Sequence, residues 1–167
     1  MNAVCKFCDT DFRGIDGLNG GLYDAETLVE KIIALYPETS HVFVVFTGGE
    51  PALQLDEALV DALHKQKIEI AVETNGTLPL PDGLDWICVS PKANTNLVIT
   101  RGNELKLVYP QKENNPDQFT QLDFDNFYLQ PLDDINQPLH TKACVDYCMQ
   151  HPQWKLSLQT HKILGIE

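Results

Sequence analysis

Residues 41–46, His-Val-Phe-Val-Val-Phe, are apolar almost without a break and run straight into Thr47-Gly48-Gly49-Glu50-Pro51. A run apolar on both faces suits a strand buried in a parallel sheet, because antiparallel sheets commonly keep one face polar. The same event recurs along the chain. Ile68 to Val72 leads into Glu73-Thr74-Asn75-Gly76-Thr77, Leu84 to Val89 into Ser90-Pro91-Lys92, and Asn126 to Leu129 into Gln130-Pro131. Glycines in such turns let backbone approach a ligand with no Cβ in the way. In parallel α/β sheets, ligands bind at the carboxyl ends of the strands. Four ends, at residues 47–51, 73–77, 90–92 and 130–131, are therefore expected to line one mouth.

Helical periodicity fills the gaps between the early strands. Residues 24–36 read as a helix, with Asp24 as N-cap and Leu28, Val29, Ile32, Ile33 and Leu35 on one side. Residues 55–66 repeat the pattern through Leu55, Ala58, Leu59, Ala62 and Leu63. Glu104 to Tyr109 alternates as a strand, and 110–125 is a polar loop rich in Asn, Gln and Asp. Pro138 to Gln150 reads as a helix with proline near its start, and Trp154 to Leu158 as the last strand. Strands and helices alternate at first, then helices become scarce. That defines an α/β chain with a mainly parallel sheet whose crossovers are incompletely helical. At 167 residues, without repeats or linkers, 1–167 reads as a single domain.

The five cysteines are Cys5, Cys8, Cys88, Cys144 and Cys148. An odd count with no apolar segment before Cys5 reads as a cytoplasmic chain with metal-binding or core thiols, not a disulfide framework. Cys88 reads as core, and Cys144 and Cys148, four apart on the predicted helix, as core or partner-facing thiols. Cys5-Lys6-Phe7-Cys8 puts two thiols on one tight turn. By itself this pair is half a zinc site, a redox dithiol or an iron–sulfur segment, since soft thiolates select zinc, copper(I) or iron–sulfur clusters. Residues 1–21 continue from it and read as a site loop rather than a plain solvated turn. No apolar run nears the ~20 residues a membrane span needs. The net charge of −12 argues against a direct nucleic-acid partner, because phosphates are bound by Lys and Arg.

Taken together, Cys5-Lys6-Phe7-Cys8-Asp9-Thr10-Asp11-Phe12, Thr47-Gly48-Gly49-Glu50-Pro51, Glu73-Thr74-Asn75-Gly76-Thr77, Ser90-Pro91-Lys92, Glu104-Leu105-Lys106, Gln130-Pro131-Leu132 and Leu158-Gln159-Thr160-His161-Lys162 resemble the radical S-adenosylmethionine (SAM) superfamily. Within it they are similar to the 7-carboxy-7-deazaguanine synthases. The resemblance implies an open, partial (β/α) barrel and a lyase of the queuosine and tRNA-modification pathway. Its cofactors are a 4Fe-4S cluster, SAM and Mg2+. One electron cleaves SAM to a 5′-deoxyadenosyl radical, which abstracts hydrogen from C6 of 6-carboxy-5,6,7,8-tetrahydropterin. The ring contracts, ammonia leaves and 7-carboxy-7-deazaguanine forms. A flavodoxin-like electron donor and a homodimer are implied as well.

Carried over by residue, the resemblance makes Cys5 and Cys8 cluster ligands and Thr10 the magnesium ligand. Gly49 and Glu50, Ser90, Pro91 and Lys92, and Gln130, Pro131, Leu132 and Asp133 become SAM contacts. Thr47, His161 and the carboxylate end at Glu167 become substrate contacts. The radical comes from SAM, so no side chain is catalytic. By residue type alone, Thr47 and Ser90 are ordinary turn residues, Lys92 a solvated charge, Gln130 a loop hydrogen-bonder and His161 a core histidine.

One departure stands out. A radical SAM cluster takes three cysteines, and the start of this sequence offers two, Cys5 and Cys8. The first ligand and the first barrel strand are expected to lie before residue 1, which would leave a strand edge bare and the 167-residue form poorly soluble and inactive. The alternatives are a non-catalytic zinc- or SAM/pterin-binding remnant, with Cys144 and Cys148 completing a zinc site, and another radical SAM enzyme such as a glycyl-radical activase.

Overall fold

The computed structural model describes residues 20–36 and 41–166. Cys5, Cys8, Thr10 and Glu167 lie outside the described residues. The strands follow chain order in the sheet, β1 to β6, and the chain divides into two compact units.

The amino-side unit, from residues 20–36, 41–74 and 78–87, holds α1 (Ala25–Leu35), β1 (Phe43–Phe46), a 3-10 turn (Pro51–Leu53), α2 (Glu57–Lys65) and β2 (Glu69–Thr74). Both helices start on aspartate caps. Asp24 accepts the Thr27 amide at 2.8 Å and Asp56 the Leu59 amide at 2.9 Å, satisfying donors with no intrahelical partner. Val29, Leu59, Val60, Leu63, Ile70 and Val72 form the core, with Val42, Val44 and Phe46 packed on it. β1 and β2 pair in parallel, Phe43 opposite Glu69 and Phe46 opposite Val72.

Parallel pairing agrees with the sequence, but burial on both faces does not. Phe43 and Val45 are 52% and 45% exposed. The helical cluster gathers Val42, Val44 and Phe46, so the alternate residues face away from it. β2 also runs further than its apolar residues indicate, taking in Glu73 and Thr74.

The carboxyl-side unit takes residues 75–77 and 88–166. It contains the end of β3 (Trp86–Val89), then β4 (Arg101–Tyr109), β5 (Asp123–Pro131), α3 (Gln137–Gln150), β6 (Trp154–Leu156) and α4 (Thr160–Leu164). Every strand pair is parallel, with Cys88 opposite Glu104, Lys106 opposite Tyr128 and Tyr128 opposite Lys155. Leu105, Leu107 and Leu129 are fully buried and Trp154 nearly so. α3 covers that apolar face. The Cys144 thiol donates to the Tyr109 carbonyl at 3.7 Å, and Tyr147 packs on Tyr109 and Trp154 with ring centroids 5.5 and 6.4 Å away.

β4 and β5 begin three residues earlier than their apolar content indicates. The pairs Arg101–Asp123 and Gly102–Phe124 extend the ladder into sequence that reads as loop. α4 is unforeseen: five residues closed by Gly165 in the left-handed conformation, φ 66°.

Candidate functional site

The turn after β1 carries the first group of candidate residues. Thr47 and Gly49 are exposed. Gly48 has φ +116°, and among the described residues a Cβ there would meet nothing within 4 Å. Backbone conformation demands this glycine, and no described residue crowds the space over it. Glu50 is the opposite case, a carboxylate only 6% exposed. Its Oε1 accepts the Ala52 amide at 3.1 Å, capping the 3-10 turn that Pro51 opens, and the Thr74 hydroxyl at 2.6 Å. Thr74, the last residue of β2, is 1% exposed. Burying a carboxylate without such donors costs several kcal/mol, by the order-of-magnitude estimate for ions taken from water.

In the carboxyl-side unit three turns combine backbone and side-chain bonds. Gly76 accepts the Val98 and Ile99 amides at 2.7 and 3.0 Å. A Cβ there would lie 2.7 Å from both Leu97 and Val89 side chains, so the close approach requires glycine. In the next turn, Lys92 Nζ donates to Ser90 Oγ at 2.6 Å, and Asn114 Nδ2 donates to the Pro91 carbonyl at 3.0 Å. Asn114 is 3% exposed. Gln130 and Pro131 are the last residues of β5. Leu132 follows, its amide bound to the Tyr109 carbonyl at 2.8 Å and its carbonyl 2.9 Å from His140 Nδ1. Asp133 pairs with Lys162 of α4. His161 is exposed on α4, so it is not a core histidine.

Of the remaining thiols, Cys88 and Cys144 are core groups and Cys148 is partly exposed. Cys88 is 2% exposed and donates to Glu104 Oε1 at 3.4 Å. Burial pushes the Cys144 thiol up to about 12, and burial raises Cys148 as well. Metals bind the thiolate, which these surroundings disfavour. Among the described residues, no three His, Cys, Asp or Glu side chains gather to hold a metal.

Sequence reading missed Thr74 as a partner of Glu50 and Asn114 as a brace behind Pro91. It also missed a polar sheet face. The register puts Cys88, Glu104 and Asn126 in one row, and Lys106, Tyr128 and Lys155 in another. Lys155 donates to Asn126 Oδ1 at 2.7 Å and lies over the Tyr128 ring, 5.7 Å from its centroid. The signal was present as alternation in Glu104-Leu105-Lys106-Leu107 and Asn126-Phe127-Tyr128-Leu129-Gln130. This face can hydrogen-bond a ligand, while the opposite one carries the core.

Residues 2–101 match the family profile described as "Radical SAM superfamily". The chain belongs to that superfamily, whose open, partial (β/α) barrel accounts for its parallel α/β fold. It is 56% identical over 166 residues to the 7-carboxy-7-deazaguanine synthase of Burkholderia multivorans, covering 98% of this chain and 79% of that one. Against the enzyme of that name from Bradyrhizobium diazoefficiens it is 56% identical over 168 residues, covering 99% and 80%. The crystal structure of QueE from Escherichia coli superposes with a TM-score of 0.64 at 27% identity, covering 82% of this chain and 64% of that chain, just under two thirds. The chain therefore belongs to the 7-carboxy-7-deazaguanine synthase family.

Proposed function

We propose that this chain is the lyase its relatives are named for, converting 6-carboxy-5,6,7,8-tetrahydropterin to 7-carboxy-7-deazaguanine with loss of ammonia. The product feeds queuosine and 7-deazapurine formation for tRNA modification. The observation that carries this reading is 56% identity over 98% of the chain. When bound, the 4Fe-4S cluster and SAM supply the radical that starts the ring contraction.

The chain's own residues bind, orient and shield. Cys5 and Cys8 would hold the cluster, and Thr10 offers a hard hydroxyl oxygen suited to Mg2+. The fit to SAM is supported by the space over Gly48 that the described residues leave open and by the buried Glu50 at the end of the same turn. Gly49 would offer backbone to the methionine part of SAM, with Glu50 beside it. Ser90, Pro91, Lys92 and the stretch Gln130 to Asp133 serve SAM from their turns. Thr47, the exposed His161 and the terminal carboxylate at Glu167 serve the pterin. A flavodoxin-like donor, a homodimeric state and a cytoplasmic setting complete the reading. No helix among the described residues is long and apolar enough to cross a membrane.

The test is anaerobic iron–sulfide reconstitution of the chain as given and of the chain extended by its upstream coding sequence. Each is then assayed for 5′-deoxyadenosine and 7-carboxy-7-deazaguanine. A brown protein that makes both from SAM and the tetrahydropterin, in at least one of the two forms, is the expected result. Failure of both forms to make the deazaguanine overturns the proposal.

A further inference from the structure

We infer that His140 is a positioning residue for SAM, acting through the backbone of the turn after β5; the inference rests on the reading that Gln130 to Asp133 serve SAM. The His140 side chain is 15% exposed. Its Nδ1 lies 2.9 Å from the Leu132 carbonyl and 3.4 Å from Asp134 Oδ1. A carbonyl oxygen only accepts, so Nδ1 carries a proton and donates it. The neutral ring with its proton on Nδ1 and the imidazolium both meet that need. Asp134 Oδ1 also accepts the Asn136 amide at 2.7 Å, which ties the far side of the turn to the start of α3.

The place of this bond gives it its effect. The β4–β5 ladder ends at the pair Tyr109–Pro131, and proline has no N–H to extend it. Leu132 is the first residue beyond, so its backbone depends on tertiary bonds. Its amide donates to the Tyr109 carbonyl at 2.8 Å, and its carbonyl takes the bond from His140. One turn further along α3, the Cys144 thiol donates to the same Tyr109 carbonyl at 3.7 Å. Residues four apart share a helix face, so α3 reaches the ends of both β4 and β5 from one side. Backbone fixed before a ligand arrives leaves less ordering for the binding step, and preorganisation of that kind shows up as affinity. Residue type makes the idea separable from packing. Asparagine carries Nδ2 on Cγ, where histidine carries Nδ1, and can donate to the same carbonyl; leucine branches at Cγ but has no donor.

The experiment compares the unaltered protein with His140→Leu and His140→Asn, each reconstituted anaerobically as the chain given and as the chain extended by its upstream coding sequence. Amide hydrogen exchange is followed over the whole chain with and without SAM, and the SAM Kd is measured. In the unaltered protein, SAM is expected to slow exchange in the peptide covering residues 130–136. Without SAM, His140→Leu is expected to quicken exchange in that peptide. Its SAM Kd is expected to rise on the order of fivefold, the effect of losing one ordinary hydrogen bond. His140→Asn is expected to stay within about twofold of the unaltered protein in both readouts. Protection of 130–136 by SAM beside a normal Kd for His140→Leu overturns the inference and leaves the SAM reading of the turn standing. Equal weakening by His140→Leu and His140→Asn also overturns it, because the ring's packing and not its bond would then matter. So does exchange that quickens throughout the carboxyl-side unit, the mark of general loosening. No protection of 130–136 by bound SAM, or no SAM binding by either form of the unaltered chain, overturns the reading of the turn and the inference with it.

Discussion

At the end of β1, Glu50 is 6% exposed and takes its bonds from the Ala52 amide and the Thr74 hydroxyl. After β5, the Asp133 side chain is 45% exposed and pairs with Lys162, itself 35% exposed. Both are carboxylates in turns at strand ends, and both are fixed by side chains distant in sequence. The second pair has the larger formal attraction, a full cation against a full anion, yet water screens it. Exposed ion pairs contribute about 0–1 kcal/mol, whereas a hydrogen bond to a buried charge contributes about 1.5–3 kcal/mol. Burial, more than charge, decides which turn is rigid.

The comparison can be broken by substitution. Thr74→Val should have the largest effect, lowering unfolding stability by about 1.5–3 kcal/mol in denaturant titration. A loss under about 0.5 kcal/mol would mean that Glu50 does not depend on this bond. Asn114→Leu comes next. It removes the donor to the Pro91 carbonyl in a buried setting, and about 1–3 kcal/mol should be lost in the same titration.

Asp85 tests an intermediate, partly exposed case. Its carboxyl sits below the usual aspartate range, chiefly because the Ile70 amide donates to it at 2.8 Å; desolvation works against this, and His64 adds a smaller lowering. A lowered folded pKa means stability that is present above the unfolded pKa and lost as pH falls through the folded one. Asp85→Asn should therefore unfold more easily at pH 7 and show a shallower decline below about pH 4, near the ordinary aspartate pKa. Parallel acid limbs for the two proteins would contradict this. Lys162→Met should be the smallest change, under about 1 kcal/mol, and the residual difference should vanish in about 1 M salt, where the screening length is a few ångströms.

Much of the fold was legible because local rules agreed. α1 had both its period and its cap in Asp24, and the parallel strands announced themselves through polar turns after apolar runs. What sequence could not show was which side of β1 the helices would cover, since His-Val-Phe-Val-Val-Phe is apolar at both parities. The early starts of β4 and β5 were hidden because ladder pairing, not side-chain hydropathy, holds Arg101 and Asp123 together. At the site, the turns were found and their supports were not. Thr74 reads as one letter of a motif, and Asn114 as one polar residue in a polar loop. Only folding brings them to Glu50 and Pro91. α4 escaped notice because five residues are too few to establish a period.

The thiol of Cys144 has a use of a different kind. It is completely buried against the sheet, with its pKa raised to about 12, so an alkylating reagent can reach it only when α3 lifts away. Its labelling rate in the native protein is then a stopwatch for that opening, in the same sense that amide exchange times local unfolding. A mass spectrometer following one added group on one peptide would read how often the carboxyl-side core breathes, without any probe having been engineered into it.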